Sequence, residues 1–193
     1  MRQRERNQEP TTEDEANDLK DFLEKGARTD IEEIDTFEGA RGVTVALGRP
    51  DTIPFRVETP ELVQRVDEAE DNQVFLTVSV DRVEGATESL VHVFLNNEDA
   101  GPRTLLSDSS YIGSFSFFCH NVDQQSFVCE VGSGERTALR FRFNITSALK
   151  ATDERAAPRA TFVVVPIDGR QPRSATVNVG AAELQLARSV VAR

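Results

Sequence analysis

From Val43 onward the chain is built of short runs rich in Val, Phe, Thr and Ile, each cut off by Gly, Pro, Asn or Asp. β-Branched and aromatic side chains fit a pleated, half-buried surface, and strands at this even spacing belong to sandwiches. The pattern predicts strands near 43–48, 54–59, 73–83, 90–96, 111–118, 126–131, 137–143, 160–166 and 182–188. No helices of crossover length separate them, which argues against a parallel α/β sheet. Alternation is clearest in two places. Val74, Leu76, Val78 and Val80 share one face, and Leu139, Phe141 and Phe143 share another, with Arg140 and Arg142 turned to solvent. The segment Thr146-Ser147-Ala148-Leu149-Lys150 opens with a capping residue and reads as one helical turn between sheets. Asn97 to Pro102 is dense in turn formers and reads as an exposed loop. The expected fold is all-β, an antiparallel, jelly-roll-like β-sandwich.

The first forty residues differ in kind. They carry 13 acidic and 6 basic side chains, so 13 − 6 = 7 of the net 11 negative charges lie there. Thr12 and Glu15 have capping-box spacing, and Ala16, Leu19, Phe22 and Leu23 form an apolar stripe before Gly26, which predicts a short amphipathic helix. The chain is therefore read as an acidic N-terminal arm or linker over 1–42, partly helical or disordered, and a β-sandwich domain over 43–193. A net charge of −11 makes nucleic acid and anionic membrane poor partners. No apolar run is long enough to span a bilayer, and the charged opening Met1 to Pro10 is unlike a signal sequence, so a soluble chain is expected.

Chemistry is limited by two cysteines, Cys119 and Cys129, and two histidines, His92 and His120. Phosphate loops, dinucleotide fingerprints and paired metal-binding cysteine motifs are absent from the sequence. His92 lies in the apolar run Val91-His92-Val93-Phe94 and reads as a core or face residue. No catalytic residue is assigned, and no cofactor is expected in this chain. If Phe117 to Cys129 forms a hairpin centred near Gln124, Cys119 faces Cys129 closely enough for a disulfide. Two reduced cysteines, and a soft copper site at Cys119 and His120, are the competing readings. Asn144-Ile145-Thr146 fits the glycosylation sequon, though its polar side chains also suit a strand end that caps the following turn.

Three segments carry a resemblance. Val91-His92-Val93-Phe94-Leu95-Asn96, followed by an acidic Gly-Pro loop, resembles the strand holding the Lys-Phe-Asp-Val signature of plant polyphenol oxidases. Tyr111-Ile112-Gly113-Ser114-Phe115 looks like a Gly-Ser-Phe strand of the same family, and Phe141 to Leu149 is similar to a hemocyanin strand and turn. Order and spacing agree, and the chain resembles the C-terminal β-sandwich of type 3 copper proteins over roughly 74–187. The resemblance implies a non-enzymatic domain that packs on a type 3 copper catalytic domain, in the same chain or a separate one, and regulates access to its dicopper site. It implies copper in that partner domain, because two histidines cannot build a dicopper site here. It also implies a side chain that occupies the substrate site, for which Phe118 and Phe117 are the candidates, with Phe118 preferred if Phe115 and Phe117 point into the core. A structural or assembly β-sandwich that forms homo-oligomers, and a copper-delivery chaperone using Cys119 and His120, are the alternatives.

Overall fold

A computed structural model of the chain describes residues 29–85, 89–117, 128–130, 139–152, 156–167 and 174–191. Its strands are β1 (Thr29–Ala46), β2 (Asp51–Pro54), β3 (Asn72–Glu84), β4 (Ser89–Leu95), β5 (Tyr111–Ser116), β6 (Val128–Glu130), β7 (Leu139–Asn144), β8 (Arg159–Pro166) and β9 (Thr176–Val191). Two helices among the described residues, α1 (Thr59–Asp67) and α2 (Thr146–Lys150), accompany them.

One sheet has the order β1-β9-β3, with β6 and β7 following one another along the free edge of β3; the other has the order β2-β8-β4-β5. Every strand pairing is antiparallel. The pairs β4–β5, β3 with β6 and β7, β2–β8 and β1–β9 are nested in sequence, as if one long hairpin had been rolled up. That nesting gives the two sheets of a jelly roll.

The core lies between the sheets. Val74, Leu76, Val78 and Val80 of β3 and Leu184 and Leu186 of β9 meet Val91 and Val93 of β4 and Ala160, Phe162 and Val164 of β8. Each fully buried Val, Leu or Phe stabilises by about 1.5–3 kcal/mol relative to exposure. In β9 the inward residues change parity from Val177 and Val179 to Ala182, Leu184 and Leu186. Bulges at this point of the β3–β9 ladder, where Val80 pairs Val179 but Ser79 pairs Ala181, allow the change. At Gly180 a Cβ would overlap the carboxylate of Asp81, so the exposed Asp81 side chain lies over the glycine.

Three boundaries differ from the sequence reading. Strand β1 begins at Thr29, so residues 29–42, assigned above to the arm, are part of the sheet. β1 is an edge strand with exposed acidic side chains, a common protection of a free edge that reads in sequence as a solvated charge run. The strand expected at 54–59 ends at Pro54, and α1 follows from Thr59. Pro60 suits the first turn, Leu62 and Val66 share the buried face, and Arg65 pairs with Asp35 at 2.6 Å. Strand β9 runs well beyond 182–188 in both directions. The predicted helix near residues 12–25 lies outside the described residues, and no described helix is long and apolar enough to cross a membrane.

Candidate partner-docking site

Strands β5 and β7 are outer strands of opposite sheets, and their inward side chains close one flank of the sandwich. Phe115 stacks on Phe141 with centroids 4.2 Å apart and ring planes 19° apart. Phe117 meets both edge-on, at 5.6 Å from Phe115 and 5.9 Å from Phe141. Phe143 lies 6.2 Å from Phe115 and presses against Gly113, where a Cβ would stand 2.6 Å from the ring. Each aromatic pair contributes about 0.5–1.5 kcal/mol beyond its burial. Outside this cluster, Arg142 covers the ring of Phe75 at 3.9 Å, so an exposed arginine is held by stacking.

The other face of β5 is polar. Ser114 pairs with His92 in register, and its Oγ lies 2.6 Å from His92 Nδ1 and 2.5 Å from Tyr111 Oη. Burial holds the His92 pKa below the ordinary imidazole value, so the ring is neutral at neutral pH. Ser114 Oγ thus bridges the imidazole and the phenol. At the end of β4, Asn96 adopts φ 55° and ties three segments together. Its N–H donates to Arg159 O at 2.8 Å, its Oδ1 accepts the Arg159 N–H at 2.8 Å, and its Nδ2 donates to Thr152 Oγ1 at 3.3 Å.

The sequon residues serve the strand end. Asn144 is exposed and accepts the Thr146 N–H at 3.1 Å, while Thr146 Oγ1 accepts the Val74 N–H at 2.9 Å.

Of the residues singled out from sequence, Phe117 is a core side chain, 2% exposed, rather than a projecting one. Phe118, Cys119 and His120 lie outside the described residues. Cys129 sits in β6 opposite Val83 of β3. β6 pairs with β3 and β5 lies in the other sheet, while residues 118–127 of the hairpin expected over Phe117 to Cys129 lie outside the described residues. Among the described residues no group of three or more His, Cys, Asp or Glu side chains is placed to hold a metal ion. Sequence reasoning passed over Leu105 and Leu106, which stand in solvent on the loop between β4 and β5.

No protein-family model and no curated protein matches the chain. Among solved structures, it is similar to a latent aurone synthase (polyphenol oxidase) from natural source, at 19% identity over 78% of this chain with a TM-score of 0.42. A recombinantly expressed latent aurone synthase (polyphenol oxidase) is similar at 16% identity over 79% of this chain, with a TM-score of 0.38. The chain spans about a quarter of the length of each of these polyphenol oxidase structures, 25% in both.

Proposed function

We propose that this chain is a non-catalytic β-sandwich domain that packs on the dicopper site of a tyrosinase- or polyphenol oxidase-like protein and regulates substrate access. The observation that supports this reading is the convergence of the three segments that resemble type 3 copper proteins. They are distant in sequence, yet Ser114 bonds to His92, Phe115 stacks on Phe141, and Gly113 makes room for Phe143. The resemblance thus falls on one packing unit, which is what a shared domain requires.

In this reading the partner supplies both coppers and all their ligands. This chain supplies a bulky side chain that fills the substrate site and excludes phenols by occupancy. Phe117 is locked among Phe115 and Phe141, which fixes where the following segment starts. Phe118, the next residue, is the proposed placeholder. Displacing the domain opens the site, a switch that needs no chemistry in this chain.

The test uses the copper-loaded type 3 domain carried by the same polypeptide or encoded beside it. Diphenol oxidation should be suppressed with this chain in place and restored by Phe118→Ala. An oxidation rate indifferent to the chain would overturn the reading and leave a β-sandwich of structural or assembly role.

A further inference from the structure

The loop between β4 and β5 holds two adjacent leucines in water. Leu105 is 71% exposed and Leu106 54%, the highest values among the exposed large hydrophobic residues described. The loop is ordered by its own hydrogen bonds. The Thr104 N–H donates to Gly101 O at 3.0 Å, Asp108 N–H to Leu105 O at 3.0 Å, and Tyr111 N–H to Asp108 O at 3.0 Å. Thr104 Oγ1 accepts the Gly101 N–H at 2.8 Å, and Asn97 Nδ2 donates to Ser110 Oγ at 3.0 Å. Ala100, fully buried, pins the loop in a small cluster with Phe94, Val163 and Tyr111. An ordered loop that holds adjacent apolar side chains in solvent is a place where a contact surface can form.

The rim of this tip has a sign. Asp99 and Asp108 are both exposed, and Asp108 accepts from the Ser110 N–H and hydroxyl, which hold its carboxyl below the usual range. Glu98 is already paired with Arg159. Arg103 is the one basic residue of the loop, so the rim remains acidic on balance.

We propose that Leu105 and Leu106 anchor this domain by inserting into an apolar cleft, bordered by basic side chains, on the type 3 copper domain; the identity of that partner rests on the proposed function. The anchor is separate from the placeholder. Strand β5, running from Tyr111 to Ser116 and about 20 Å long, separates the loop from Phe117 along the chain.

The experiment titrates this chain onto the copper-loaded type 3 domain, with Kd from calorimetry and diphenol oxidation followed in parallel. Leu105→Ser with Leu106→Ser should raise Kd at least about tenfold while leaving the thermal midpoint unchanged. Asp99→Lys should raise Kd several-fold at low salt, about as far as one misplaced rim charge allows. Phe118→Ala should relieve inhibition with little change in Kd. An unchanged Kd for the leucine pair, with wild-type binding and inhibition intact, overturns the anchor and leaves the proposed function standing. Absence of wild-type binding removes both. Tighter binding by Asp99→Lys, self-association of the chain lost in the leucine pair, or leucine-dependent binding to neutral lipid vesicles would each assign the tip to another contact.

Discussion

The ring of Phe143 occupies the space that a side chain at Gly113 would need, with its nearest atom 2.6 Å from the place of a Cβ. The contact spans the two sheets, because Gly113 lies in β5 and Phe143 in β7. Gly113→Ala should therefore destabilise the fold by about 1–3 kcal/mol, as overpacking of a filled site does. Urea unfolding measures the loss. Combining it with Phe143→Leu should recover part of it, because the two positions share one space.

Phe117 closes the flank of the core. Its replacement by Ala should cost about 3–4 kcal/mol through lost burial and the cavity left beside Phe115 and Phe141. Equilibrium unfolding that shows less than about 1 kcal/mol would mean that Phe117 is not packed as described.

His92 should make stability depend on pH. Desolvation lowers its folded pKa below the ordinary value of 6.5, so the unfolded chain takes up a proton first as pH falls. The stability present above pH 6.5 is then lost as pH drops from that value through the lower folded pKa. Unfolding midpoints between about pH 5 and 8, compared with those of His92→Gln, isolate this share from the carboxylates. A pH dependence identical in both proteins would remove His92 as its source.

Asn96 combines a left-handed backbone with a side chain that accepts the Arg159 N–H. Asn96→Ala should cost about 1–3 kcal/mol by leaving that donor without its partner, with a left-handed penalty added. Asn96→Gly should cost less, since Gly keeps the backbone at no strain. Chemical denaturation of the two variants side by side checks the order.

Legibility in the sequence followed exposure. β3 was readable because one face is buried and the alternation of Val74, Leu76, Val78 and Val80 survives. Residues 29–42 of β1 were not, since an edge strand facing water carries Glu32, Glu33, Asp35 and Glu38, which look like a solvated arm; only its end, within the strand expected at 43–48, was readable. The helix over Thr59–Asp67 was hidden by the apolar residues Phe55 and Val57 just before it, which suggest a strand but pack from a coil. Leu105 and Leu106 sit among turn formers, where no periodicity marks a side chain as functional. Phe117 was one of two placeholder candidates from its place after the Gly-Ser-Phe strand, and only its packing against Phe141 identified it as core.

The sequence by itself determined the class of fold, because β-branched and aromatic runs punctuated by turn formers can bury their apolar faces only by pairing sheets. Tertiary structure alone decided that β6 joins β3 rather than β5, that the acidic stretch after Thr29 is an edge strand, and that Gly113 lies under Phe143. These are pairings between residues far apart in the chain. Local propensity carries no information about which distant strand will satisfy an exposed edge, and only the packing of the whole core selects it.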